Sequence, residues 1–207
     1  MNYTEFRDKM NVFPVFSVRE IEKHFPGFDS RRLVEWQDKG YIKKLRNRYY
    51  YFSEQTITEP FSYYTANEIY RPSYISLESA LSHYNVIPEG VFQITSCTSR
   101  KTNSFQTPAG NFAYRHLKPS LFFGYRLEKW GNHRYAIAEP EKAVIDFLYL
   151  HSELKETEDI EALRWNTEEI KRQISVEKLN NYETYIGSSA LSWRLTNLKS
   201  YLDVITA

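Results

Sequence analysis

Residues 31–52, RRLVEWQDKGYIKKLRNRYYYF, leave the chain few folds to choose from. Leu33 and Trp36 stand three apart, so they share the inner side of a helix that begins at Arg31. Gly40 sits where a helix needs a left-handed closing residue. Two β-prone runs, Tyr41–Leu45 and Tyr49–Phe52, then flank a short turn at 46–48, which is the pattern of a hairpin.

Upstream, Thr4 is placed to cap a short helix reaching about Asn11. Ser17 and Glu20 have capping-box spacing, in which each side chain satisfies an orphan amide. Pro26 and Gly27 break the chain, and Asp29 or Ser30 caps the third helix. Three short helices with a tight turn between the second and third, followed by a basic hairpin, predict a winged helix-turn-helix. Such a unit places the N-terminal residues of one helix toward base edges in the major groove and lays a cationic hairpin on the phosphate backbone. Arg31 and Arg32 are then the candidates for base edges or adjacent phosphates. Lys43, Lys44, Arg46, Asn47 and Arg48 are the candidates for the wing. Some winged helices mediate protein contacts only, and here such a partner would dock on the aromatic surface around Tyr49, Tyr50 and Tyr51.

The net charge of +1 hides an uneven distribution. Lys39–Arg48 holds five cations and no acid, and Gly90–Ala138 holds seven cations against the single acid Glu128. The balancing acids gather elsewhere, as in Glu153–Ala162. Two basic segments offset by a remote acidic one point to an anionic partner, ordinary solvated faces being the alternative. Arg100 and Lys101, in the polar junction TSRKTNS, are the second-domain candidates for DNA contact.

Beyond Phe52 the stretch to Ser73 is polar and carries Pro60 and Pro72, so 1–55 is expected as the DNA-binding domain, 56–72 as a linker with one helical turn at most, and 73–207 as a second domain. That domain opens with a helix capped by Ser76, with Leu77, Ala80, Leu81 and Tyr84 on one face, Asn85 as its closing residue and Pro88 preventing continuation. A strand follows at 91–99, then two more around Pro108 and Gly110, then a hairpin across Gly131-Asn132. Pro140 starts a helix, and further helices are expected at 159–165, 175–185 and 188–205. The fold class is α+β, a winged helix-turn-helix followed by a mixed α/β domain with hairpins and C-terminal helices.

Enzymatic motifs are missing. The seven glycines are isolated, so neither a GxGxxG turn nor a Walker loop can be built from them. The five histidines show no HExxH or paired ligand spacing, and no GxSxG elbow surrounds any serine. Glu78, His83 and Glu89 frame a helix, and the lone Cys97 reads as a small buried residue in a strand. A metal-dependent nuclease would need carboxylates such as Asp146 and Glu153, which fall in helical, acidic sequence. No catalytic residue, metal ligand or cofactor is expected. No run approaches the ~18 apolar residues of a membrane span and no signal peptide is legible, which places the protein in the cytoplasm.

YISLESALSHYNVIPE, ITSCTSRKTNSFQTPAGNFAYRHL, LFFGY and AIAEPEKAVIDFLYL, in that order, resemble the second domain of AbiEi antitoxins of type IV toxin–antitoxin systems. Residues 1–52 are similar to the family's winged-helix domain, and the likeness reaches about Leu150, the C-terminal helices matching in kind alone. Asn85 departs from the family's glycine before IPE, and both residues tolerate left-handed geometry. The resemblance implies a non-enzymatic repressor that binds duplex DNA upstream of its own operon. It also implies an antitoxin acting in phage abortive infection, which counteracts a cognate nucleotidyltransferase-like toxin without a stable complex. With no heptad pattern, a monomer in solution is expected, two copies lying on an inverted repeat.

Overall fold

A computed structural model describes residues 2–88 and 90–204 of the 207-residue chain, with the backbone alone at 203 and 204. The fold is α+β. Its N-terminal unit contains α1 (Tyr3–Met10), β1 (Phe16–Ser17), α2 (Val18–His24), α3 (Arg31–Asp38), β2 (Ile42–Arg46) and β3 (Tyr49–Phe52), so the expected three helices and hairpin occur in the expected order. The caps are partly those expected. Ser17 and Glu20 form the reciprocal box, the Glu20 amide donating to Ser17 Oγ at 3.2 Å and the Ser17 amide to Glu20 at 2.7 Å. The α1 cap is Asn2 in place of Thr4, its Oδ1 accepting from the Glu5 amide at 2.9 Å. At α3, Ser30 makes no capping bond, and Asp29 Oδ1 accepts from the Arg31 amide at 3.0 Å. Gly40, at φ 71, closes α3 as its position requires.

β3 lies between β1 and β2, and strand alternation gives this small sheet two apolar faces. Tyr50 and Phe52 turn toward α1–α3 and pack with Phe6, Phe16, Leu33 and Trp36. Tyr51, only 1% exposed, and the half-buried Tyr49 turn the other way, into the larger core of the molecule. A bulge between Lys44 and Arg46 swings Leu45 onto that same side, where it is buried with Val15. The aromatic surface expected around Tyr49, Tyr50 and Tyr51 as a partner's docking site is therefore closed by the chain itself.

Residues 56–72 are not a linker. Thr58 caps α4 (Glu59–Ile69), Pro60 lies in its first turn, and Phe61, Tyr63, Tyr64, Thr65, Ala66 and Ile69 are buried around most of its circumference. The helix packs against a six-stranded sheet ordered β6-β7-β5-β4-β9-β8, made of β4 (Ser73–Ile75), β5 (Gln93–Thr98), β6 (Asn103–Thr107), β7 (Gly110–His116), β8 (Tyr125–Trp130) and β9 (His133–Ala138). The three-residue β4, which the sequence reading passed over, is its centre, antiparallel to β5 and parallel to β9. Tyr114 faces α4 and donates to the Ala66 carbonyl at 2.8 Å. Thr95, on the alternate phase, faces α5 (Leu77–His83), taking a bond from the Ser79 amide and giving one to the Ser76 carbonyl. Glu78 and His83 lie in the first and last turns of α5, and Glu89 lies outside the described residues. α6 (Pro140–Leu150) is followed by α7 (Thr157–Ala162), α8 (Thr167–Gln173), α9 (Val176–Ile186) and α10 (Ser189–Val204), α8 being additional to the helices expected.

One polar cluster lies inside this apolar core. Lys142, 0% exposed, donates from Nζ to Asp146 one turn along α6 and to the Tyr74 hydroxyl at 2.9 Å. The second Asp146 oxygen accepts from Tyr74 and from Ser76 Oγ, each at 2.8 Å. Ser76 thus occupies the cap position of α5 with its side chain spent on Asp146, which corrects its expected capping role. Gly124, at φ 70, makes room for the lysine stem, since a Cβ there would stand 3.0 Å from Lys142 Cγ. Burial pushes the Tyr74 hydroxyl and the Cys97 thiol beside this cluster well above their ordinary pKa values. Removing one member of a buried ion pair strands the other, so Lys142→Met is expected to lower urea-unfolding stability by about 3–5 kcal/mol. Lys142→Met combined with Asp146→Leu should cost less than the single change, because no charge is left unpaired.

Candidate nucleic-acid interface

The cations of the first basic segment have three different environments. Lys43 and Lys44 project from β2 into solvent, and among the described residues neither has an ion-pair partner. Asn47 and Arg48 form the exposed hairpin turn, where Arg48 takes φ 69 and lies 3.9 Å from Glu22. Arg46 points inward: its Nη1 donates to the Ile69 carbonyl at 2.6 Å, and its guanidinium covers the rings of Phe105 at 4.8 Å, Tyr49 at 5.5 Å and Tyr70 at 5.9 Å. It fastens the hairpin to the second domain, and the part of it that lines the hollow beside Arg48 is what is left to meet a phosphate.

The exposed side of α3 is mixed in charge. Arg31 is held by Asp29, with Nη2 at 2.8 Å and Nε at 3.0 Å, and this bond keeps the aspartate below the usual carboxylate range. Lys39 is likewise held by Glu35 at 2.6 Å. Val34 and Asp38 complete the face, and the half-buried Arg32 has no ion-pair partner among the described residues. A nucleic acid reached by Arg31 would have to replace Asp29, whereas Lys43 and Lys44 are ready to contact phosphate as they stand.

Arg19, which local spacing marks only as part of the helix start SVREIE, joins the candidate cations. The register Ser17↔Tyr49 and the bond from the Val18 amide to the Arg48 carbonyl, at 3.0 Å, bring the beginning of α2 beside the hairpin turn. Arg19 and Arg48 then border a hollow of about 520 Å³ with Asn47, Ser17 and Glu22. Only the long-range pairing of β1 with β3 reveals this, and no local spacing carries it.

The two basic segments meet at Tyr70. One side of the phenol contacts Arg46, and the Arg100 guanidinium lies 4.6 Å from the ring centroid while donating to the Arg71 carbonyl at 3.2 Å. The Tyr70 hydroxyl donates to the Lys101 carbonyl at 2.9 Å. Arg100, Lys101, Thr102 and His116 surround a cleft of about 710 Å³ on this tyrosine, with His116 Nδ1 donating to the Arg100 carbonyl at 2.8 Å. The cleft is cationic, open and suited to an anion. Tyr70 itself lay in the presumed linker and was therefore unassigned.

The carboxylates weighed for a nuclease do not converge. Asp146 is spent inside the core while Glu153 is exposed, and among the described residues no three His, Cys, Asp or Glu side chains are grouped to hold a metal ion. No helix among the described residues is long and apolar enough to cross a membrane. Compared with models of protein families and with curated proteins, the chain matches none.

These environments separate by stability. Arg46→Ala loses a charged hydrogen bond and three ring contacts and is expected to cost about 2 kcal/mol in chemical denaturation. Lys43→Ala and Lys44→Ala should each stay within about 0.5 kcal/mol of the parent.

Proposed function

We propose that this chain is a winged-helix DNA-binding protein that recognises duplex DNA upstream of its own gene and represses that operon. The observation that carries the reading is the convergence of two basic segments, far apart in sequence, on Tyr70, beside a hairpin whose Lys43 and Lys44 have no acidic partner among the described residues. Lys43, Lys44, Arg48 and Arg19 contact phosphate, Arg32 and, after exchange from Asp29, Arg31 approach base edges, and Arg100 and Lys101 extend the backbone contact. Phosphate contacts position a protein on DNA and base contacts specify the site, so the two groups have separable roles. Asn47, at the tip of the hairpin turn, supplies a neutral hydrogen-bonding group to the same backbone.

The likeness of the second domain to AbiEi antitoxins supports a further part of the reading. In it the protein also counteracts a nucleotidyltransferase-like toxin encoded beside it, acts in the cytoplasm as a non-enzymatic monomer and forms no stable complex with the toxin. Burial of Tyr50 and Tyr51 disfavours the alternative of a module that docks a protein on the hairpin aromatics.

The test is a titration of upstream and shuffled duplexes at several salt concentrations. Preference for the upstream duplex is expected, with log K falling linearly against log salt. Lys43→Ala/Lys44→Ala should reduce that slope by about 2 and weaken both duplexes alike, since each phosphate contact contributes ~0.9. Arg31→Ala/Arg32→Ala should reduce the preference by ~1–3 kcal/mol. Equal, weak binding of both duplexes by the parent protein would contradict the assignment.

A further inference from the structure

The far half of the large sheet presents a second polar surface that duplex recognition does not use. Alternation along β5, β7 and β6 sends Phe105, Phe112 and Tyr114 toward α4 and the hairpin, as the contact of Arg46 with Phe105 shows. The opposite phase carries a row of three amides in direct register, Gln93 beside Asn111 beside Gln106. All three are exposed, and none of their side chains has a hydrogen-bond partner among the described residues. In the next row small side chains, Thr95, Ala113 and Ser104, keep the surface low, and Arg115 follows, exposed and without an ion-pair partner among the described residues.

Phe92, immediately before the amide row, is 97% exposed. A fully exposed phenyl ring at the edge of a hydrogen-bonding surface stabilises nothing in the free protein. Beside it a hollow of about 300 Å³ opens between α5 and the sheet, with Glu78 on one wall and Arg115 on the other. Glu78 lies 3.9 Å from His151 Nε2. Arg115 is the cation of this lining, opposite Glu78. The surface thus suits a chain that offers flat rings, hydrogen-bonding edges and a phosphate for Arg115.

A duplex is a poor fit, because its base edges lie inside grooves that admit a helix or a two-stranded ribbon and not the face of a three-stranded sheet. Unpaired bases can be splayed out, stacked on an aromatic ring and bonded along their edges, and the 2′-hydroxyl of RNA adds a group for the exposed Ser104 hydroxyl. We propose that the open face of β5, β7 and β6 binds single-stranded RNA, with Phe92 stacked on a base, the row Gln93–Asn111–Gln106 bonded to base edges and Arg115 on a phosphate. The face is turned away from the hairpin and is independent of duplex recognition.

The test is fluorescence anisotropy of a short, unstructured, labelled RNA and of the DNA strand of the same sequence, with the upstream duplex titrated in parallel. Tighter binding of the RNA is expected. Phe92→Ala should weaken it about tenfold and Gln93→Ala/Asn111→Ala should weaken it further, both leaving duplex binding unchanged. Arg115→Ala should lower the salt slope by about 0.7, and Lys43→Ala/Lys44→Ala should leave RNA affinity where it was. These positions are exposed, and unchanged melting curves would verify that the variants fold. The proposal is overturned if the RNA does not bind or if the DNA strand binds equally well. It is also overturned if Phe92→Ala has no effect while the Lys43/Lys44 variant abolishes binding, which would place the strand on the hairpin.

Discussion

The organisation of this molecule depends on one sheet that is apolar on both sides. A strand that alternates Tyr49, Tyr50, Tyr51 and Phe52 has no solvent-compatible face, so β3 needs cover from both directions. The three N-terminal helices cover one face. The other is covered by the second domain, through Tyr51, the bulged Leu45 and Val15, and Arg46 seals the edge against Phe105 and Tyr70. The hairpin is consequently no free appendage. What remains available for a partner is its outer edge and turn, and the seam that removes its aromatic residues from water brings Arg46 and Arg100 onto the one ring of Tyr70.

Charge of the same sign serves three purposes in this chain, and counting charges along the sequence cannot separate them. Lys142 is an interior residue whose ammonium completes a polar cluster with Asp146, Tyr74 and Ser76. Arg46 lays a planar cation over aromatic rings and satisfies a helix-end carbonyl, a task suited to guanidinium geometry. Lys43 and Lys44 do neither and are free to meet an anion. The basic segment from Lys39 to Arg48 therefore contributes fewer available charges than its composition suggests, and Arg19 restores one from another element.

Local chemistry was legible in the sequence, and long-range burial was not. The Ser17–Glu20 box, the left-handed Gly40 and Asn85, the Gly131-Asn132 turn and Pro140 at a helix start all express constraints within a few residues, and each is found. α4 was missed because it is buried over most of its surface. Phe61, Tyr63, Tyr64, Thr65, Ala66 and Ile69 show no polar stripe, so helical periodicity has nothing to display, and Pro60 in its first turn with Pro72 beyond its end mimics a linker. β4 is three residues long and takes its identity from neighbours in β5 and β9. At the candidate interface, Lys43, Lys44 and Arg48 were visible as a basic run. The inward turn of Arg46, the engagement of Arg31 by Asp29 and the role of Tyr70 depend on contacts that no spacing encodes.

The seam is expected to unite the N-terminal unit and the large sheet into one cooperative structure. Native-state amide hydrogen exchange under increasing urea measures this directly, because segments that unfold together share an opening free energy. The account predicts that amides of β3 at Tyr50–Phe52 and of β4, β5 and β9 converge on the same global free energy. Opening of α1–α3 with β1–β3 at a free energy lower by more than about 2 kcal/mol, while the large sheet stays protected, would contradict it.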